Sequence, residues 1–406
     1  KIGLDFFWCY NGVFRGALES FVLIEQDKHN KRNIMNIPMS KPCFSSKHIN
    51  DIQRDIGSIL ESGRLMMGDW TQKFEKEFSE LVGVKHAITV NTCTTALQIV
   101  LQYYNIKESE VLVPSGSFIT NISSIKWSGG TPVFVDMNPH TLSFDLEDLK
   151  RKRTERTKGV MWVHLTGIIS PEYHKIVKYA KDNNLFLIED CAHAPGASVD
   201  GGKAGSLGNA GCFSFFPSKI ITTGTGGMIT TDDTELMEYA KQVRLLGRCQ
   251  DSPGDVCIEG NDWFMDEIRA CIGYHQMKEL DFNLDVRKSV ANRYNKAFEN
   301  HSKINIFDLT EDNKPSYYQY VVILDDLINR DDVIKALKEE YGVSSKRIYL
   351  PTHREPIFKN LNFDPTTLSK TDNTLDQSIC LPIYCSINDK EVGHVISSML
   401  AVLEGV

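Results

Sequence analysis

Short, mostly apolar runs recur between residues 86 and 231. They read HAITV (86–90), EVLVP (110–114), TPVFVD (131–136), GVMWVHL (159–165), LFLIED (185–190), GCFSFF (211–216) and GGMITT (226–231). Stretches with helical spacing, such as TTALQIVLQYY (94–104) and EYHKIVKYAKDNN (172–184), lie between several of them. Continuous apolar strands alternating with helices predict an α/β fold, with a mostly parallel seven-stranded sheet covered by helices on both faces. Upstream, Ser45 or Ser46 predicts the cap of a helix with Ile49, Ile52, Ile56, Ile59 and Leu60 on one face and Gly63 as its stop. A second helix carries Phe74, Phe78 and Leu81. Past Trp263 the pattern changes. A long helix is predicted from about Asp266 to Asn300, then a strand over YYQYVVIL (317–324) and a helix over DDVIKALKEEYG (331–342). A strand near Arg347 to Tyr349 and a final helix near Asp389 to Leu403 complete a smaller C-terminal α/β domain. The predicted divisions are an N-terminal extension (1–36), a large domain (37–280) and a small C-terminal domain (281–406). No period of 20 to 50 residues repeats, which excludes a solenoid.

Composition narrows the function without choosing one. The 406 residues are 41% hydrophobic and 24% charged, as in globular proteins with a large core. With 45 basic and 53 acidic residues the formal charge is −8, which argues against nucleic acid as the main partner. The basic stretch Lys150 to Arg153 is short and reads as a solvated helix face. Ten cysteines are scattered with no Cys-x-x-Cys pair, so neither a zinc site nor a thioredoxin-type motif is indicated. Free thiols and a cytoplasmic location are expected. No apolar run approaches the roughly 20 residues of a membrane-spanning helix. The first residues, KIGLDFFWCYNGVFRGALESFVLIEQ, are interrupted by Asp5, Asn11, Arg15 and Glu19 and make a poor signal peptide.

Candidate chemistry lies where the strands end, because ligand sites of such sheets lie at the carboxyl ends of the strands. In CFSFFPSKIITTGTGG (212–227), Lys219 stands between an aromatic strand and a glycine-rich turn. LFLIED ends a buried strand on Glu189 and Asp190, where a carboxylate is costly unless it meets donors or a cation. Thr92, Cys93, Thr94 and Thr95 sit where a strand passes into a helix, and a helix start with free N–H groups binds phosphate well. Phe118 follows a third strand end. Each has a plain alternative: a solvated lysine, a helix-capping acid, ordinary threonine caps, a core aromatic. Taken together, a lysine, an acid, a phosphate cradle and an aromatic at one sheet edge match pyridoxal phosphate. The rival dinucleotide or mononucleotide sites are not supported, since no G-x-G-x-x-G follows the first strand and no G-x-x-x-x-G-K-[ST] is present.

GRLMMGDWTQKFEKEF, VNTCTTALQIVL, TPVFVDMNPHTLSFD, IEDCAHAPGASVDGGKAGSLGNAGCFSFFPSK and TTGTGGMITTDD resemble the DegT/StrS-type sugar aminotransferases, fold-type-I enzymes that use pyridoxal 5'-phosphate. The resemblance runs from about Ile37 to the C-terminus. It implies that Lys219 is the Schiff-base lysine and proton shuttle and that Asp190 pairs with the pyridine nitrogen. His193 contacts the phenolic oxygen, Phe118 stacks on the ring, and Cys93, Thr94 and Ser214 hold the phosphate. It further implies that Asn261 reaches a partner's site across a homodimer, and that Tyr349 and His353, in RIYLPTH, line the substrate pocket. The implied reaction moves an amino group from glutamate (or glutamine) to a keto sugar, a nucleotide-linked 3- or 4-keto-6-deoxy sugar, in amino-sugar or polysaccharide biosynthesis. Thr225, Ile220 and Asn209 depart from the family pattern, as does WFMDEIRA. A cyclitol ketone as acceptor, or a non-catalytic regulatory or scaffold role, are the alternatives.

Overall fold

The computed structural model describes residues 35–249, 251–252, 254–307, 309 and 312–405. Most of the N-terminal extension expected over 1–36 lies outside the described residues. The predicted strands form one seven-stranded sheet: β1 (His86–Val90), β2 (Glu110–Pro114), β3 (Thr131–Val135), β4 (Thr157–Val163), β5 (Phe186–Asp190), β6 (Ala210–Ser214) and β7 (Gly227–Thr231). Their spatial order is β1-β7-β6-β5-β4-β2-β3. The run from β6 to β3 is parallel, and β7 is antiparallel to both of its neighbours.

Both faces of the sheet are buried, as continuous apolar strands require. Phe213 and Phe215 pack on one side with Phe74, Phe78 and Trp162. Cys212 packs on the other with Ile88, Leu97, Val111 and Ile188. Covering helices are α1 (Ser46–Ser62), α2 (Asp69–Val82), α3 (Cys93–Tyr103), α4 (Ile119–Trp127), α5 (Leu146–Lys152), α6 (Tyr173–Asp182), α7 (Thr234–Val243) and α8 (Glu267–Met277). Ser45 caps α1 by accepting from the His48 N–H, and Gly63 ends it in the left-handed region. Only the centre of the expected α1 stripe is buried: Ile52 and Ile59 are covered, while Ile49 is 42% and Leu60 58% exposed. Those two flank the stripe that meets α8.

After α8 come α9 (Leu280–Phe298), α10 (Arg330–Tyr341), α11 (Ser369–Asp376) and α12 (Asp389–Glu404). They accompany an antiparallel sheet of β8 (Ile304–Asn305), β9 (Tyr320–Leu324) and β10 (Ser378–Leu381). The single helix expected over 266–300 is interrupted at Lys278 and Glu279. There Gln276 donates to the Cys43 carbonyl and Glu279 accepts from the Ser45 N–H, so tertiary anchoring overrides helical continuity. No strand forms at 347–349. Lys346 makes one bridge to Cys380, and Pro351 then leads into a 3-10 turn over Thr352–Arg354. Ile37 pairs with Val343 and packs in the C-terminal core.

The expectation of free thiols is corrected for four cysteines. Cys43 is joined to Cys385 and Cys249 to Cys257 by disulfides, pairs that become adjacent only in the fold or across a tight loop. This withdraws the composition argument for a reducing compartment. Cys93, Cys191, Cys212, Cys271 and Cys380 are free and buried. Among the described residues no helix is long and apolar enough to cross a membrane.

Candidate active site

The site is built from strand ends and helix starts. Beyond β1, Thr92 takes an extended backbone and caps α3, its Oγ1 accepting the Thr95 N–H at 3.0 Å. The Ala96 N–H bonds back to the Thr92 carbonyl at 3.1 Å. The N–H groups of Cys93 and Thr94 have no hydrogen-bond partner among the described residues, as the first turn of a helix dictates. Gly227, at the start of β7, lies directly against the Thr92–Cys93 peptide: a Cβ there would fall 2.6 Å from the Cys93 nitrogen.

β5 ends in two carboxylates that alternation sends to opposite faces. Glu189 is a scaffold residue. It is fully buried, bonded to His164 Nε2 at 2.7 Å, and accepts the N–H groups of Gly205, Leu207 and Gly208. Asp190 faces the cavity. Its oxygens accept from Asn121 Nδ2 at 2.6 Å and from the Ala192 N–H at 2.9 Å.

β6 ends at Ser214, and the chain turns through Pro217. The Lys219 N–H bonds to the Phe216 carbonyl at 2.9 Å, while Thr222 Oγ1 and the Thr223 N–H both return to the Phe215 carbonyl. That hook presents a single amine at the strand end. Lys219 Nζ lies 4.4 Å from the Tyr318 ring centroid.

A cavity of about 330 Å³ brings Cys93, Thr94, Phe118, Asp190, His193, Ser214, Lys219 and Tyr349 together. Two anticipated residues are not in its lining. Asn261 is exposed on the loop after α7, its backbone tied to Val243 and Leu246. His353 is turned away by the 3-10 turn and is buried against Ser115 Oγ, 2.5 Å from its Nδ1, with Asp372 at 3.4 Å. Sequence reasoning missed Asn121, Tyr318 and Lys346. Tyr318 and Lys346 come from the C-terminal segment, and only the fold brings them to the strand ends.

The electrostatics assign protons. Burial, reinforced by the positive charges of Lys219 and Lys346, holds the His193 imidazole well below its ordinary value, so the ring is neutral. The Thr166 N–H donates to Nδ1 at 3.2 Å, which leaves the proton on Nε2. Nε2 then donates to the Tyr349 hydroxyl, 3.0 Å away. Burial, with Tyr318 and Asp190 adding, pushes the Tyr349 phenol well above its usual value. Tyr349 keeps its proton and has it free to donate. His193 is also stacked on Tyr318, with centroids 4.2 Å apart, and its carbonyl accepts from Ser316 Oγ at 2.6 Å. Gly167 permits this arrangement: at φ +92 it lies so close that a Cβ would fall 2.7 Å from the His193 carbonyl oxygen. Burial, with Asp190 and Cys212 adding, raises the Cys93 thiol well above its ordinary value, which removes it as a nucleophile.

These donors fit pyridoxal phosphate. Two unpaired N–H groups at a helix start suit a phosphate, a buried carboxylate suits a protonated ring nitrogen, and an amine suits an aldehyde. On a mostly parallel sheet this defines the class: the protein is a pyridoxal-phosphate-dependent transaminase. Residues 46–400 match the DegT/DnrJ/EryC1/StrS aminotransferase family, and the chain belongs to it. It is 32% identical over 390 residues to the spore coat polysaccharide biosynthesis protein SpsC of Bacillus subtilis, covering 92% of this chain and 99% of that one. It is 34% identical over 341 residues to GDP-perosamine synthase of Caulobacter vibrioides, covering 83% and 91%. The PMP form of Spr1654 from Streptococcus pneumoniae superposes with a TM-score of 0.85 at 27% identity, covering 91% of this chain and 98% of that one.

Proposed function

We propose that this transaminase moves an amino group from glutamate, or glutamine, to a nucleotide-linked 3- or 4-keto-6-deoxy sugar, in amino-sugar or polysaccharide biosynthesis. The observation that carries the reading is the meeting of Lys219, Asp190 and the open helix start at Thr92 to Thr94 around one cavity. The names of the relatives support the sugar: one is a perosamine synthase, another serves spore coat polysaccharide.

The cofactor, when bound, supplies an aldehyde that carries the amino group and a ring that draws off electrons. The chain's residues do the rest. Cys93 and Thr94 N–H groups and the Ser214 hydroxyl would hold the phosphate, and Phe118 would cover the ring. Asp190, fixed by Asn121 and the Ala192 N–H, would keep the ring nitrogen protonated. His193 orients Tyr349, whose hydroxyl donates toward the cofactor and the substrate. Lys219, seated over Tyr318, would take the proton from the donor's α-carbon and, in the second half-reaction, deliver one to the sugar carbon that gains the amine. The donor leaves as its keto acid and the sugar carbonyl becomes an amine. His353 supports this wall from behind, through Ser115 and Asp372. Asn261 completes the site of a second copy in a homodimer.

The test is an absorbance spectrum of the protein with pyridoxal phosphate, before and after borohydride, with a Lys219→Ala control. A visible-edge band that borohydride fixes covalently to Lys219, and that changes on adding glutamate, is the expected result. Near-normal turnover by Lys219→Ala would sink the mechanism.

A further inference from the structure

Three charged side chains line the cavity: Asp190, Lys219 and Lys346. His193 is neutral there. Under the transaminase reading, Asp190 and Lys219 are taken up by the cofactor. Lys346 is then the one charge left in the lining for a substrate. Every candidate substrate is anionic: an amino donor carries carboxylates, and a nucleotide-linked acceptor carries phosphates.

The surroundings of Lys346 suit that task. The Lys346 side chain is exposed where it lines the cavity, and its ammonium faces no carboxylate within 4 Å among the described residues. Its backbone is held in place, the Cys380 N–H donating to its carbonyl at 2.7 Å. It enters from the C-terminal part of the chain together with Tyr318 and Tyr349, whereas the phosphate-holding groups come from residues 92–94 and 214. Its charge adds to burial and to Lys219 in holding His193 low, and on Tyr318 it joins Lys219 in opposing the effect of burial.

We propose that Lys346 is the substrate-anion residue of this site, its ammonium holding the carboxylate of the amino donor or the phosphate of the acceptor. The assignment rests on the transaminase reading above. A charge-assisted bond to an oxyanion predicts an effect of about tenfold on binding. It also predicts that the effect shrinks as salt is raised.

The experiment compares the parent holoenzyme with Lys346→Met and Lys346→Arg. Absorbance and borohydride trapping first establish the covalent link at Lys219; a parent without it overturns the transaminase reading and this assignment with it. In one arm glutamate is titrated and the midpoint and limiting rate of the spectral change are read. In the other, uridine, guanosine and thymidine 5'-diphosphates are titrated as competitors. Lys346→Met is expected to raise the midpoint of at least one arm tenfold or more with the limiting rate within about threefold, and Lys346→Arg to restore it. A shift in the glutamate arm identifies the carboxylate; a shift in the nucleotide arm identifies the phosphate. Midpoints within twofold of the parent in both arms, with the link intact, overturn the assignment and leave the transaminase reading standing.

Discussion

Gly227→Ala tests whether the cofactor's phosphate is held where β7 meets the start of α3. The new Cβ would lie 2.5 Å from the Thr92 carbonyl oxygen and 2.6 Å from the Cys93 nitrogen, against 3.4 Å for ordinary contact. The nearest atom, the Thr92 carbonyl carbon, would be 2.4 Å away, so the shortfall reaches about 1 Å, and the opposing atoms are backbone. They cannot rotate away as a side-chain end would. Relief must come from moving the Thr92–Cys93 peptide, whose neighbouring N–H groups are the proposed phosphate donors, or from bending β7 out of its pairing with β1 and β6. Overpacking of this kind costs about 1–3 kcal/mol. At about 1.4 kcal/mol per factor of ten, moving the donors weakens pyridoxal phosphate roughly fivefold to a hundredfold. The assay is a titration of apoprotein with pyridoxal phosphate, read by absorbance, beside a thermal melt. Gly201→Ala is the control: Gly201 has φ +81 and open space around it, so the substitution strains the backbone without touching the cradle. Gly201→Ala is expected to lower the melting temperature with cofactor affinity unchanged. A Gly227→Ala protein that binds the cofactor within twofold of the parent and melts with it would refute the placement; unchanged affinity with a lowered melting temperature would mean that β7 had bent instead.

The packing and the charges carry two further predictions. His193 has a folded value well below the ordinary 6.5, because burial and the two lysines disfavour its cation. Below pH 6.5 the unfolded chain takes up a proton that the folded chain refuses, so this residue contributes stability above that pH and loses it as pH falls, by about 1.4 kcal/mol per pH unit until the folded value is reached. Urea unfolding of the apoprotein between pH 7 and 5.5 is expected to show a steeper loss for the parent than for His193→Gln; equal slopes would exclude a buried neutral imidazole. The Cys43–Cys385 disulfide joins residues 342 apart, and removing it with Cys43→Ser is expected to cost about 2–4 kcal/mol. A non-reducing peptide map lacking that cross-link, or a variant melting with the parent, would contradict it.

The large sheet was legible because each of its strands is a short apolar run with both faces buried, a pattern that survives without knowing its neighbours. Lys219, Asp190, Cys93 and Thr94 were legible because a parallel sheet gathers at one edge the residues that lie just past its strand ends. Legibility failed where distant segments decide. The helix break at Lys278 depends on Ser45 and Cys43. The strand expected at 347–349 gives way to Ser378–Leu381, which takes the place beside β9. Neither disulfide obeys a local spacing rule. Asn121 lies within α4, and its bond to Asp190 needs β5 and α4 to be adjacent. Tyr318 and Lys346 were unreadable for the same reason.

The departures from the family pattern acquire meaning from their positions. Ile220 is 5% exposed and belongs to the core under the sheet, so this departure does not reach the cavity lining. Asn209 pairs with Leu187 at the edge of β5, its Oδ1 accepting the Leu187 N–H at 2.7 Å, a task that needs an acceptor and no charge. Thr225 differs from both because it lines the cavity. Its Oγ1 donates to the Asn91 carbonyl at 3.2 Å and its own carbonyl accepts from Thr223, which ties the glycine-rich turn to the end of β1. A carboxylate at this position would add a negative charge facing the substrate. With a hydroxyl there, Asp190 is the single acidic side chain in the lining, and its oxygens already accept from Asn121 and the Ala192 N–H. The substrate therefore meets a wall whose remaining charge is positive, which is the condition Lys346 needs to hold an anion without a competing carboxylate beside it.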